Sequence, residues 1–165
     1  MKTIYLAGGC FWGMEAYFAK LKGVLSTKVG YIDGPTAHPT YKDVCQDSGH
    51  AEAVFLTYEE TLLPLPVLLS HFGRIVDLTQ VNRQGHDVGI QYRNGVYFTD
   101  PADEPVIRAF LAERRKALGK ELSTIVKPAP AFWPAEEYHQ AYLDKNPGGY
   151  CHVNLGLLRP EERKQ

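Results

Sequence analysis

Cys10 is the residue of this chain whose neighbours most favour chemistry. It follows Gly8-Gly9 at the end of a predicted strand and precedes a predicted helix. A thiol at a helix N-terminus meets unpaired backbone N–H groups and the positive end of the helix dipole, so we expect a lowered pKa and a favoured thiolate. The glycines would let other groups approach the sulfur closely. The alternative is a small buried hydrophobe, which is what most lone cysteines are.

Glu52 is the second candidate, at the start of the otherwise apolar strand predicted over 51–58. A carboxyl at this position is expected to face a low-dielectric cleft, which would raise its pKa and prepare it as a general acid. The spacing is equally compatible with an exposed glutamate at a strand end.

Aromatic and polar side chains near these positions could bind a substrate. Phe11 and Trp12 could form an apolar wall beside Cys10, although core packing explains their spacing better. Tyr41 lies in a long polar loop. The segment 82–93 carries more hydrogen-bonding side chains than a passive loop needs, among them Asp87, Gln91 and Tyr92. Taken singly, each of these residues is more often structural than functional.

The cysteine count restricts the chemistry further. There are three cysteines, Cys10, Cys45 and Cys151, and an odd, sparse number argues against a secreted disulfide framework. The chain has no C-x-x-C pair and no H-E-x-x-H, and its six histidines lack ligand spacing, which argues against structural zinc. The neighbours Cys151 and His152 are by themselves a weak metal signal. Inert buried thiols or thiol chemistry remain.

The elements that must position these residues alternate between strand and helix. The patterns predict strands over 3–7, 24–32, 51–58, 90–99 and 123–127, and helices over 11–21, 66–76, 101–119 and 135–143. A long loop is expected over 33–49, and Asn94-Gly95 is read as a tight hairpin turn or a bulge. This alternation predicts an α+β fold, a two-layer α/β sandwich with a mixed sheet and an irregular Gly/Pro-rich C-terminal tail.

Length and composition set the class of protein. The 165 residues predict one catalytic or binding domain over 1–165, and 44% hydrophobic with 22% charged residues is ordinary for a globular protein. The net charge of −1 lacks the basic surplus that nucleic-acid binding needs. No segment approaches the ~20 apolar residues of a membrane span. The N-terminus reaches Gly8-Gly9 too soon for a signal peptide. We therefore expect a cytoplasmic protein.

Four segments of the chain carry recognisable motifs: Gly9–Glu15 (G-C-F-W-G-x-E), Gly49–Glu52 (G-H-A-E), Asn82–Arg93 (N-R-Q-G-x-D-x-G-x-Q-Y-R) and Lys145–Tyr150 (K-N-P-x-G-Y). Together they resemble the A-type peptide methionine sulfoxide reductases. They occur in the family's order and cover nearly the whole chain. Met14 and Asn94 replace residues more usual in the family, both outside the catalytic positions. The resemblance implies a ferredoxin-like core within the predicted sandwich.

The resemblance also implies a role for each polar candidate. Cys10 would attack the sulfoxide sulfur, release methionine and become a sulfenic acid. Glu52 would protonate the sulfoxide oxygen. Tyr41 and Tyr92 match tyrosines whose hydroxyls bind that oxygen, and Asp87 matches an aspartate that organises the site and its bound water.

Phe11 and Trp12 match the family's apolar pocket for the substrate methyl group. A chiral sulfur held at its methyl group and its oxygen leaves one face for the thiolate, so one epimer should be accepted, the S form in this family. The implied substrates are oxidised proteins or peptides and free methionine sulfoxide. No cofactor or metal is implied.

Cys151 matches the resolving cysteine of those family members that carry one after the G-Y pair. It lies in the tail over about 145–165, and flexibility there would let it form a disulfide with Cys10 that a thioredoxin-like protein reduces. The alternative is an incidental thiol, with Cys10 reduced directly. Cys45 is expected to be structural. Family precedent and a nearly neutral surface favour a monomer.

Three rival functions can be stated. A cysteine hydrolase or acyltransferase would use Cys10 with a histidine such as His86 and with Asp87 as its orienting group. A thiol peroxidase would share the sulfenic chemistry without needing a methyl pocket. A peptide-binding module without enzymatic activity would not depend on the thiol. The hydrolase or acyltransferase hypothesis leaves Glu52 and Cys151 without a role.

Overall fold

A six-stranded mixed sheet forms the centre of the computed structural model, which describes residues 1–164. Its strands are β1 (Lys2–Gly8), β2 (Val24–Ile32), β3 (Ala51–Tyr58), β6 (Asn94–Phe98), β7 (Ile125–Pro128) and β8 (Phe132–Pro134), in the order β7-β6-β1-β3-β2-β8. β6 and β7 are parallel, and the other neighbours are antiparallel. The short strands β4 (Arg83–Gln84) and β5 (Asp87–Val88) pair separately. The predicted α+β fold with a mixed sheet is confirmed.

The main core lies between the sheet and its helices. The helices are α1 (Phe11–Ala19), α2 (Tyr41–Cys45), α3 (Leu65–Ile75), α4 (Asp103–Leu118) and α5 (Tyr142–Lys145). Alternate residues of β1 enter different layers: Leu6 packs with Phe18 and Leu68 in the main cluster, whereas Ala7 belongs to a smaller cluster on the opposite face. This is the period of two that a strand buried on both faces requires.

The strand register brings four strand ends together. Gly8, the last residue of β1, pairs with Asn94, the first residue of β6. Ala51, the first residue of β3, pairs with Ile32, the last residue of β2. Residues just beyond these ends, including Cys10, therefore share one end of the sheet.

The Asn94-Gly95 pair does not form a turn or a bulge. Both residues lie within β6, where Gly95 pairs with Ala7 of β1. The buried Asn94 amide donates to Ser123 Oγ at 3.1 Å, so this side chain connects β6 to the segment before β7. The loop expected over 33–49 likewise contains the short helix α2. The helix predicted over 101–119 begins at Asp103.

The helix predicted over 135–143 is also wrong. A single 3₁₀ turn covers Glu137–His139, Ala141 adopts a left-handed φ of 52°, and α5 follows. Contacts with other elements replace the helical hydrogen bonds. Val29 N–H donates to Gln140 Oε1 at 2.9 Å, and Ala141 N–H donates to the carboxyl of Glu15 at 2.7 Å.

Gly30 lies where β2 pairs with β8, and substitution at this position tests how closely the two strands pack. A Cβ at Gly30 would lie 2.4 Å from Phe132 Cζ and 2.5 Å from the backbone oxygen of Trp133. Because a backbone atom cannot turn aside, Gly30→Ala should separate the strands and lower the free energy of unfolding by about 1–3 kcal/mol. Urea denaturation measures this change. Gly148→Ala is the control, since no atom lies within 4 Å of a Cβ there. Equal stability of the two variants would contradict the close packing of β2 against β8.

Candidate active site

Cys10 lies between β1 and α1, at the position that begins the helix, and its side chain is 7% exposed. Burial raises the pKa of the thiol, and the negative charge of Glu52 raises it further. The backbone N–H groups of Trp12 and Gly13 lower it by hydrogen bonding, but by less. The expectation of a lowered pKa is therefore wrong, because desolvation outweighs the helix terminus. Without substrate, Cys10 is a thiol.

Glu52 is the second residue of β3 and is 1% exposed. Its Oε1 accepts a hydrogen bond from Phe11 N–H at 3.1 Å, while Oε2 has no hydrogen-bond partner within residues 1–164. Burial raises the pKa of this carboxyl to about 8, and the charge of Asp87 contributes in the same direction. The predicted raised pKa is confirmed, and at neutral pH Glu52 holds a proton.

Tyr41 and Tyr92 bring two hydroxyl groups to the same end of the sheet. Tyr41 is the first residue of α2, and Tyr92 ends a 3₁₀ turn just before β6. Burial raises the pKa of both phenols, and the charge of Glu52 raises both further. For Tyr92 the charges of Cys10 and Asp87 add to this effect. Both hydroxyls are therefore protonated hydrogen-bond donors.

Asp87 is bound by a tyrosine that sequence reasoning did not select. Tyr150 donates its hydroxyl hydrogen to Asp87 Oδ2 at 2.9 Å. Partial burial and this hydrogen bond raise the pKa of Tyr150 to about 12. The available sequence signal for a role of Tyr150 was its position directly before Cys151. Gln91 is buried, and its Oε1 has no partner in the described part of the chain.

His139 joins the aromatic residues beside Cys10. Trp12 donates its indole N–H to His139 Nδ1 at 3.0 Å, and its ring stacks on Tyr142 at 3.8 Å between centroids. The His139 ring lies 5.2 Å from that of Phe11 and 4.4 Å from that of Tyr41. His139 is fully buried, which lowers its pKa and keeps it neutral. Sequence reasoning assigned no role to His139 or Tyr142, although the segment 136–142 is dense in polar and aromatic residues.

Cys151 lies against the first turn of α1. A Cβ at Gly13 would come within 3.1 Å of Cys151 Sγ and 3.2 Å of His152 Nδ1. His152 Nε2 is 3.1 Å from the carbonyl oxygen of Gly8, and the Cys151 thiol donates to Val153 O at 3.2 Å. The tail thus crosses the loop that carries Cys10. All three cysteines are free thiols, and Cys45 is exposed at the end of α2.

Three further observations concern metal ligands, membrane-spanning helices and His86. Within residues 1–164, no group of three or more His, Cys, Asp or Glu side chains is placed to hold a metal ion. No helix in this range is long and apolar enough to cross a membrane. His86, the histidine of the hydrolase reading, is exposed. A thiol beside a protonated carboxyl and two phenols, in an α+β fold, defines a thiol-dependent oxidoreductase.

Comparison with known proteins identifies the family. The family model described as peptide methionine sulfoxide reductase matches residues 2–165. The peptide methionine sulfoxide reductase MsrA of Lachnoclostridium phytofermentans is 53% identical over 153 residues, which are 92% of each chain. Mxr1 from Saccharomyces cerevisiae in its reduced form superposes with a TM-score of 0.88 at 37% identity, covering 93% of this chain and 91% of Mxr1. Mxr1 in complex with Trx2 gives a TM-score of 0.61 at 25% identity, over 86% and 84% of the chains.

The chain therefore belongs to the peptide methionine sulfoxide reductase family. It is a thiol-dependent reductase of methionine sulfoxide, as the four sequence segments implied.

Glu52 makes the stability of the protein depend on pH. Its folded-state pKa of about 8 lies above the ordinary value of 4.5, so its contribution is complete below pH 4.5 and is lost as pH rises through 8. Glu52→Gln does not titrate. The unfolding free energy of the wild type, relative to this variant, should therefore fall between these pH values, with a limiting slope of about 1.4 kcal/mol per pH unit.

Urea denaturation at several pH values measures this difference. Glu60→Gln, which changes an exposed residue just after β3, the strand that carries Glu52, is the matched control. A wild-type minus Glu52→Gln difference that is flat between pH 4.5 and pH 8 would show that Glu52 has an ordinary pKa.

Proposed function

We propose that this chain reduces methionine S-sulfoxide by attack of Cys10 on the substrate sulfur while Glu52 protonates the substrate oxygen. The observation that carries the proposal is the placement of the Glu52 carboxyl. One oxygen is held by the N–H of Phe11, the residue after Cys10, and the other is free of protein partners within residues 1–164. A buried, protonated carboxyl with a free oxygen beside a thiol is suited to general-acid catalysis.

The first step reduces the sulfoxide to methionine and oxidises Cys10. A sulfoxide oxygen leaves poorly until it is protonated, and Glu52 supplies that proton while the phenol groups of Tyr41 and Tyr92 donate hydrogen bonds to the oxygen. Cys10 Sγ forms a bond to the substrate sulfur while the protonated S–O bond breaks, and the oxygen leaves as water with one proton from Glu52 and one from the Cys10 thiol. Water then attacks Cys10 Sγ, the S–S bond breaks, methionine is released, and the proton lost by this water returns to Glu52. In sum, the sulfoxide is reduced by two electrons to methionine, and Cys10 is oxidised to a sulfenic acid.

The coupling between Cys10 and Glu52 supports this assignment. An ionised Glu52 raises the pKa of the Cys10 thiol, so a protonated Glu52 favours the thiolate. The protonation state that provides the acid therefore also removes one of the causes that hold Cys10 as a thiol, although burial, the larger cause, remains. Asp87 adds negative charge near both groups and, through Tyr150, connects them to the tail.

Phe11 and Trp12 provide an apolar wall that suits the substrate methyl group. His139 and Tyr142 hold the indole of Trp12 in place by a hydrogen bond and by stacking. A rigid wall on one side and hydroxyl donors on the other would fix the orientation of a chiral sulfur. Such an arrangement would accept a single epimer, and we propose that it is the S epimer, either in oxidised proteins or as free methionine sulfoxide, with a role in protein repair.

Cys151 would resolve the sulfenic acid. Its thiol attacks Cys10 Sγ, the S–O bond breaks, water leaves, and a Cys10–Cys151 disulfide forms. The position of Cys151 against Gly13 supports this step, because Gly13 lies in the same helical turn that follows Cys10. A thioredoxin-like protein would then reduce the disulfide by exchange. The complex of the relative Mxr1 with Trx2 supports that class of partner.

The same proposal includes the setting of the enzyme. We infer one catalytic domain over 1–165, with a ferredoxin-like core and a tail over about 145–165 that moves to bring Cys151 to Cys10. The order β6-β1-β3-β2 of the central strands supports that core. We further propose a monomer acting in the cytoplasm without a bound cofactor or metal.

The reaction is tested by NADPH consumption with thioredoxin, thioredoxin reductase and each epimer of a blocked methionine sulfoxide. The wild type should turn over the S epimer alone, and Cys10→Ser should have no activity. Cys151→Ser should form one equivalent of methionine and then stop. Glu52→Gln should reduce the single-turnover rate by about 10²–10⁴-fold at pH 7, because the general acid is lost.

Other results would change individual assignments. Continued cycling of Cys151→Ser with thioredoxin would remove the resolving role and leave the reductase intact. A Glu52→Gln rate equal to that of the wild type would remove the general acid.

Gly13→Ala separates the two steps. Alanine favours a helix by about 1 kcal/mol over glycine, so the variant should not lose helical stability. Its Cβ would press on Cys151 Sγ and Val153 Cγ2, each 3.1 Å away, and displace the tail by a few tenths of an ångström. We expect disulfide formation to slow roughly several-fold, because thiol attack depends on close alignment. Methionine formation should not change.

Rapid quenching after one equivalent of substrate measures both steps, with methionine and the disulfide assayed separately. Gly148→Ala, also in the tail but without close neighbours, is the control. An unchanged disulfide rate in Gly13→Ala would show that the contact between Gly13 and Cys151 has no part in resolution.

A further inference from the structure

The chain beyond Cys151 returns to the core and is held there by Glu162. Arg74 of α3 donates two hydrogen bonds to the Glu162 carboxylate, from Nη1 to Oε1 at 2.8 Å and from Nη2 to Oε2 at 3.1 Å. The N–H of Arg159 also donates to Glu162 Oε1 at 2.9 Å. These donors lower the pKa of Glu162 to about 2, so it is charged in the neutral range.

Buried residues of α1 and α3 pack against this ion pair. The hydroxyl oxygen of Tyr17, in α1, is 2.6 Å from His71 Nδ1, and Arg74 donates to the same hydroxyl at 3.3 Å. His71 Nε2 is 3.5 Å from Glu162 Oε2. Tyr17 and His71 are almost completely buried, so the pair rests on a fixed surface.

Backbone contacts extend the attachment on both sides of Glu162. Lys22 N–H donates to the Glu162 carbonyl at 2.8 Å, and Lys164 N–H donates to the Lys20 carbonyl at 3.0 Å. Arg74 Nη1 also donates to the carbonyl of Leu157 at 3.1 Å. We define residues 146–158 as the resolving segment. At its start it follows α5, which is held by the Tyr142–Trp12 stack, and at its end it meets the Arg74–Glu162 pair.

A segment attached at both ends samples less space than one attached at a single end. Loss of the far attachment would enlarge the volume that Cys151 explores and so lower its effective concentration at Cys10. The two groups of the pair are part-buried, and their side chains contact Tyr17, His71 and the tail rather than Cys10, Glu52 or Trp12 within residues 1–164.

We propose that Arg74 and Glu162 are positioning residues for the resolving step, because their ion pair holds the far end of the resolving segment and thereby keeps Cys151 within reach of Cys10. This inference rests on the proposed resolving role of Cys151. Neither residue acts on the sulfoxide, so the first step should not depend on them.

The test uses the full-length enzyme and one equivalent of the S epimer, with rapid quenching. Methionine reports the first step, the Cys10–Cys151 disulfide reports the second, and dimedone traps the sulfenic acid between them. The variants are Glu162→Gln, Arg74→Gln and the double variant. Glu161→Gln is the matched control, because it removes a charge from the adjacent, exposed residue.

We expect methionine formation at the wild-type rate in every variant. Disulfide formation should slow about 3- to 10-fold in Glu162→Gln and Arg74→Gln but not in Glu161→Gln. The double variant should be no slower than the slower single variant, because both changes remove one contact. The equilibrium of the disulfide with glutathione should move toward the reduced form by a similar factor, a readout that a loss of general stability would not produce.

Disulfide rates equal to those of Glu161→Gln would overturn the proposal, as would a parallel loss of both steps with a lowered Tm. If Glu162→Gln and Arg74→Gln do not fold, Arg74→Lys takes their place under the same criteria, since it keeps the charge and loses the paired geometry. A wild type that keeps a dimedone-reactive Cys10 and forms no disulfide would instead refute the resolving role of Cys151. The two failures are therefore distinguishable.

Discussion

The hydrogen bond from Phe11 N–H to the buried carboxyl of Glu52 is the contact on which the site depends. It joins the start of α1 to the start of β3 and so places the thiol of Cys10 beside a carboxyl. Burial of the carboxyl in that position disfavours its charged form and raises its pKa to about 8. The Phe11–Glu52 contact thus fixes the geometry of the site, whereas burial sets the protonation state of Glu52, because it outweighs the lowering of the pKa by this hydrogen bond.

The sheet explains why these residues meet although they are distant in sequence. Antiparallel pairing of β1 with β3 and with β6 brings the end of one strand beside the beginnings of two others. Cys10 follows β1, Glu52 lies at the start of β3, and Tyr92 lies just before β6. The helices cover the main core of large apolar side chains, which lies away from the polar end of the sheet.

The tail has a different mechanical role from the rest of the site. The Trp12–His139 hydrogen bond and the Trp12–Tyr142 stack hold the aromatic wall in place, so this proposed binding surface would not need to move. In the proposed resolving step Cys151 moves to reach Cys10, although its segment is attached to the core at each end. Attachment at both ends would combine mobility of this thiol with a high local concentration of it.

The long-range contacts explain where sequence patterns failed. The segment 135–143 has helical periodicity, but Glu15 and Gln140 bind backbone groups of distant elements and hold it in an irregular path. Asn94-Gly95 has turn chemistry, but strand pairing with β1 keeps it straight. In each case a local preference worth a fraction of a kcal/mol was exceeded by hydrogen bonds between elements that propensities do not contain.

The sequence by itself determined the family, the α+β class and the identity of the candidate site residues, because residue type and order along the chain carry that information. It also indicated a raised pKa for Glu52 from an apolar strand context. Only the tertiary structure decided the charge state of Cys10, the part of His139 in the aromatic wall and the attachment of the tail through Arg74. The physical reason is the same throughout: desolvation and ion pairing depend on which distant groups share a volume, and that is fixed only when the sheet and the helices have packed.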